Sequence, residues 1–118
     1  MEPRPVTTVE EYEKCVMGVD RGVITLLQLG ADSCVRCPGF RSKVERLVTW
    51  YQFQWLYCDA HDADTDLPEH FNLSQLPAFV LKAHAETEPL VVPNATPEQL
   101  EEAVARVCTP VLVLDADF

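Results

Sequence analysis

The stretch from Val23 to Cys37 constrains this chain more than any other part of it. Val23 to Leu29, VITLLQL, is a nearly continuous apolar run rich in branched side chains. A strand exposed on one side alternates apolar and polar residues. An unbroken run of this length is the pattern of a strand buried on both faces. Such a strand needs a layer of helices on each side of its sheet, which points to an α/β architecture. Five residues after Leu29 the run reaches Cys34-Val35-Arg36-Cys37. From Pro38 onward Phe40, Val44, Leu47, Val48 and Tyr51 recur at helical spacing, predicting an amphipathic helix to about Tyr51. Gln54 to Cys58 then reads as a second strand.

The remaining segments fit the same plan. Thr8 to about Met17 reads as a helix, with Thr8 and Glu11 at capping-box spacing and Gly18 as its stop. Asp59 to Asp66 is a polar, acidic loop, and a short helix is expected over Leu67 to Phe71. Proline opens the apolar strand that follows Leu76-Pro77, where a missing N–H does least harm. His84 to Glu88 is a turn and Pro89 to Val92 a further short strand. Thr96-Pro97-Glu98-Gln99 is a capped helix start, with Leu100, Ala103, Val104 and Val107 as the buried stripe. The predicted order is βαβαβαββα, a mixed sheet with helices on both faces. The expected domain covers residues 1–110, with 111–118 as a short apolar and acidic tail.

Composition narrows the function classes. The 118 residues suit one domain, and 9 basic against 19 acidic residues give a net charge of −10. That balance argues against nucleic acid or an anionic membrane as partner, since phosphate binding needs a broad basic surface. No apolar run approaches the roughly 18 residues that span a bilayer. The N-terminal MEPRPVTTVEEYEK is acidic and interrupted by prolines, unlike a secretory signal, so a cytoplasmic protein is expected.

Five cysteines, at 15, 34, 37, 58 and 108, form no even-numbered secreted framework. Cys15 and Cys108 fall on helix faces and read as buried structural thiols. Cys34 and Cys37 form a C-x-x-C, which in an intracellular chain means redox chemistry or metal. A zinc reading would add Cys58 and His61, because Cys34-x2-Cys37-x20-Cys58-x2-His61 has zinc-site spacing. If the two strands run parallel, Cys58 returns to the sheet edge that carries Cys34, so spacing alone does not exclude that site. Asp62 to Asp66 imitates the start of a calcium loop. Leu67 and Leu73 stand where its glycine and bidentate glutamate belong, so a solvated acidic loop is expected.

Taken together, a buried strand leading into C-x-x-C before a helix, a second strand and an acidic loop, and Leu76-Pro77 before an apolar strand resemble the thioredoxin superfamily. The likeness runs over nearly the whole chain. Leu76-Pro77 lies 43 residues after Cys34, about the family spacing. The resemblance implies a cis proline at Pro77 facing the two cysteines, and a redox-active Cys34–Cys37 disulfide with no other cofactor and no metal. The sequence departs from the thioredoxin pattern at three places. Ser33 replaces the usual tryptophan, Val35-Arg36 replaces Gly-Pro, and Gln28 stands where thioredoxins carry a buried acid.

Within that frame Cys34 is the expected nucleophile. A thiol at a helix start faces unpaired N–H groups and the positive end of the macrodipole, which favour thiolate. Cys37, three residues on, would resolve the mixed disulfide. Arg36 adds a cation, and Arg41, Lys43 and Arg46 extend it into a locally basic end or a solvated helix face. The resemblance implies a substrate groove formed by Ser33 and Arg36 on one side and Gln75, Leu76 and Pro77 on the other, taking protein thiols and disulfides. The expected oligomeric state is a monomer or weak dimer. The rival expectation is a non-catalytic interaction module that keeps the fold as a scaffold. Val111 to Leu114 is a tetrapeptide of high β propensity that either packs on the domain or pairs with another chain.

Overall fold

The computed structural model describes residues 3–19, 23–31, 38–50, 53–83 and 88–107, the side chains of Pro38, Val48 and Trp50 excepted. Among the described residues, five strands and four helices follow one another in the order expected from the sequence. They are β1 (Arg4–Pro5), α1 (Val9–Gly18), β2 (Ile24–Gly30), α2 (Pro38–Trp50), β3 (Phe53–Asp59), α3 (Leu67–His70), β4 (Ala78–Lys82), β5 (Leu90–Val92) and α4 (Pro97–Val107). The strands lie in one mixed sheet in the order β1-β3-β2-β4-β5. β1 and β2 run parallel to β3, while β4 pairs antiparallel with both β2 and β5.

β2 sits at the centre, and all seven of its residues are buried. Its side chains divide between two cores. Ile24 and Leu26 join Phe40, Val44 and Leu47 of α2 and Leu100, Ala103 and Val104 of α4. Leu27 and Leu29 join Tyr12, Cys15 and Val16 of α1 and Leu67 of α3. Alternation along the strand sends successive residues to opposite faces, so a continuous apolar run is what two helix layers require.

The helix starts are explicit in the side chains. Thr8 Oγ1 accepts the Glu11 N–H at 3.1 Å, and Glu11 Oε1 accepts the Thr8 N–H at 3.2 Å. Thr96 and Gln99 repeat this reciprocal arrangement at α4, at 3.2 and 3.0 Å. These bonds satisfy N–H groups that a helix start otherwise leaves open. The Thr7 and Thr8 N–H groups also hold the Glu11 carboxyl below its usual range.

The acidic loop is less passive than its composition suggests. Asp59, Asp62, Asp64 and Asp66 are exposed. Yet Asp66 Oδ1 accepts the Val9 N–H at 2.8 Å, tying α3 to the start of α1. Asp59 and Asp62 each accept an N–H two residues on, at 3.0 and 2.9 Å. The loop is therefore a set of local turns with one long-range tether. Among the described residues, no helix is long and apolar enough to cross a membrane. The turn expected at 84–88 falls mostly outside the described residues, as does the tail 111–118.

Candidate functional site

Three strands end abreast at one edge of the sheet. Leu29 of β2 is in register with Cys58 of β3 on one side and Ala78 of β4 on the other. Beyond that line the Gly30 carbonyl accepts the Ala60 N–H and the Pro77 carbonyl accepts the Ala95 N–H, both at 2.8 Å. These bonds hold the chain on either side of the point where β2 leaves the sheet. The helix α2 opens at Pro38, a residue suited to a first helical position because it has no N–H to leave unpaired. Segment 32–37, with Ser33, Cys34, Arg36 and Cys37, connects these two fixed ends in sequence and lies outside the described residues.

The opposite wall is described. The Leu76–Pro77 peptide bond is cis. Pro77 is buried, Leu76 half-buried and Gln75 exposed. Register puts Pro77 one residue beyond Ala78, next to the end of β2. Among the described residues, no backbone group bonds to the N–H or C=O of Leu76. Among the described residues, main-chain hydrogen-bonding capacity is thus unused at the edge that the sequence reading assigned to substrate.

Gln28 lies inside the central strand at 4 % exposure. Its Oε1 accepts the Trp55 indole N–H at 2.9 Å. Trp55 is itself buried, so each side chain supplies the partner the other needs away from water. The sequence reading recognised Gln28 as a replacement for an acid but did not find its partner. The available signal was one amide within an apolar run, which buried surroundings oblige to pair.

Cys58 is buried and its Sγ lies 3.3 Å from Thr65 Oγ1. Burial pushes its thiol pKa up, against a smaller opposing effect of the Thr65 hydrogen bond. The parallel pairing of β2 and β3 does bring Cys58 to the edge where β2 ends. His61 is exposed on the following turn. Among the described residues, no group of three or more His, Cys, Asp or Glu side chains could hold a metal ion. Cys34 and Cys37 are not part of that set.

The basic cluster on α2 is only partly open to a ligand. Lys43 Nζ binds Glu101 Oε1 at 3.1 Å, because α2 and α4 share a face of the sheet. Its charge is matched within the fold rather than offered at the site. Arg41 and Arg46 are exposed. Cys15 is buried on α1, as expected of a structural thiol, and Cys108 lies outside the described residues.

Comparison with solved structures identifies the architecture. The chain superposes on mitochondrial thioredoxin 3 of Saccharomyces cerevisiae in its oxidized form with a TM-score of 0.73 and 19% identity, over 88% of this chain and 94% of that one. It superposes on the germline-specific thioredoxin Deadhead of Drosophila melanogaster with a TM-score of 0.71 and 23% identity, over 91% and 99% of the two chains. A mutant thioredoxin from Halobacterium salinarum gives 0.70 and 20%, over 93% and 94%. No protein-family model matches the sequence, and no curated protein sequence matches it. The chain has the thioredoxin fold.

Proposed function

We propose that this thioredoxin-fold chain is a thiol–disulfide oxidoreductase acting on protein disulfides through Cys34 and Cys37. The observation that carries the reading is the register at the sheet edge. β2 ends at Gly30 on the edge where Leu76-Pro77 precedes β4, and α2 begins at Pro38, the residue after Cys37 in sequence. A thiol held ahead of a helix of 13 residues lies toward the positive end of its dipole, which favours the thiolate.

In the reducing direction the Cys34 thiolate attacks one sulfur of the substrate disulfide. A Cys34–substrate disulfide forms, and the other substrate sulfur leaves as a thiolate that takes a proton from water. The Cys37 thiolate then attacks Cys34 Sγ and releases the second substrate thiolate. Two electrons pass to the substrate, and the protein is left with a Cys34–Cys37 disulfide. A dithiol reductant restores it, and the oxidising direction is the same sequence reversed. The N–H and C=O of Leu76, without a backbone partner among the described residues, suit an extended substrate segment that adds by strand-type pairing. Ser33 leaves that groove wider than an aromatic residue would, and Arg36 supplies its charge.

The test is trapping. Cys37→Ser, reduced and mixed with insulin, should accumulate a covalent complex through Cys34 that dithiothreitol dissolves. Absence of that complex, together with a Cys34 pKa at the free value near 8.5, would favour the non-catalytic scaffold instead.

A further inference from the structure

We propose that prolines close the outer edges of β1 and β5 to strand addition, so that two copies of this chain do not pair edge to edge. An edge strand offers unpaired N–H and C=O groups to any other strand, and proline removes the donor. Along a strand these groups point to alternate sides, so one hydrogen bond fixes the direction of every second residue. At the β1 edge that bond runs from the Val6 N–H to the Tyr57 carbonyl, at 2.9 Å. Val6 therefore faces β3, and so does Arg4, in register with Leu56. The outward positions are Pro3, Pro5 and Thr7. The two prolines have no N–H, and the Thr7 N–H donates to Glu11 Oε1 at 2.8 Å. From residue 3 to residue 7, no outward N–H is left for another strand.

At the β5 edge the direction follows through three strands. The Gly30 carbonyl accepts from Ala60 on the β3 side, so Gln28 and Leu26 face β3 while Leu29 and Leu27 face β4. Their partners Ala78 and Val80 face back to β2, which leaves Phe79 and Leu81 facing Val92 and Leu90. The Pro77 carbonyl, two residues before Phe79, bonds to Ala95 just after β5 and agrees with that assignment. Val91 is then the outward residue of β5, and the next outward positions are Pro89 and Pro93. Asn94, at φ 49°, turns the chain directly after Pro93.

Two copies meeting antiparallel at this edge would centre on Val91, whose N–H and C=O would bond the same groups of the second copy. The next pair in that ladder joins position 89 of one copy with position 93 of the other, and both are proline. The ladder stops after one pair, too short for a stable ribbon. β1 and β5 are the two outer strands of the sheet, so the same device stands at both ends. Partners then meet this chain through side chains and loops, not by extending β1 or β5.

Edge pairing involves no cysteine, so the test stands or falls apart from the redox reading. In the reduced full chain, amide hydrogen exchange should be at least about tenfold faster at Val91 than at Leu90 or Val92, at every protein concentration. Sedimentation equilibrium should give the monomer mass up to about 0.5 mM. Pro89→Thr/Pro93→Thr restores two outward donors beside Val91. It should move the mass toward the dimer in that range and slow Val91 exchange about tenfold or more as concentration rises. Pro89→Thr alone leaves the turn at Pro93 and Asn94 untouched, and it should shift the mass the same way but less, which covers a loss of folding in the double variant. Three results would overturn the proposal: a wild-type Val91 amide as protected as its neighbours, a wild-type dimer that protects it, or folded proline variants that stay monomeric.

Discussion

The Trp55 indole N–H donates to Gln28 Oε1 at 2.9 Å across two neighbouring strands, with both residues buried. This pair occupies the position where the resemblance to thioredoxins implies an acid. A buried carboxyl there could take up and release a proton, at a pKa raised by desolvation; the Gln28 amide cannot. Gln28→Leu removes the acceptor and leaves the indole N–H unpaired. A loss of about 1–3 kcal/mol in urea unfolding is expected. A loss under about 0.5 kcal/mol would mean the bond contributes little.

Tyr12 predicts an alkaline limit to stability. Desolvation, with a smaller push from Glu13, raises its pKa from 10.0 to about 12. The folded state therefore holds the phenolic proton after the unfolded chain has released it. The contribution is fully present below pH 10 and is lost as pH rises from 10 toward 12. The expected drop is about 2–3 kcal/mol across that window. Tyr12→Phe should flatten it, as measured by unfolding midpoints at several pH values.

Cys58 should be a poor nucleophile in the folded protein despite its place at the sheet edge. It is buried, and burial raises its thiol pKa. Native-state alkylation with iodoacetamide at neutral pH, followed by mass mapping, should modify Cys34 well before Cys58 or Cys15. Equal rates at Cys34 and Cys58 would place Cys58 in an accessible, activated setting and contradict its packing.

Arg36 is the charge expected to steer substrates, since Lys43 is neutralised by Glu101. Arg36→Glu should slow exchange with an acidic protein disulfide several-fold at low ionic strength, and the difference should shrink above about 0.5 M salt. A rate unchanged at low salt would remove Arg36 from recognition.

Much of this architecture was legible because local signals agreed with the fold. The unbroken apolar run of β2, the reciprocal caps at Thr8 and Thr96, and the Pro97 start of α4 each carry their own physics. The cis bond at Leu76–Pro77 was anticipated through the family resemblance, not through any property of proline alone. Other features depend on which distant residues meet. Nothing near Asp66 in sequence announces that it accepts from Val9, 57 residues away. Lys43 read as part of a basic cluster because its partner, Glu101, arrives only once α2 and α4 share a face. The Tyr12 hydroxyl, without a partner among the described residues, is likewise invisible until α1 packs against Phe71.

The account rests on Cys34 as the attacking thiol, and turnover tests that most directly. Wild-type protein and Cys34→Ser should be compared in the reduction of insulin disulfides with dithiothreitol as electron source. The wild-type chain should accelerate the reaction, and Cys34→Ser should fall to the rate of dithiothreitol alone while keeping the wild-type unfolding midpoint. Full turnover by a folded Cys34→Ser protein would contradict the account.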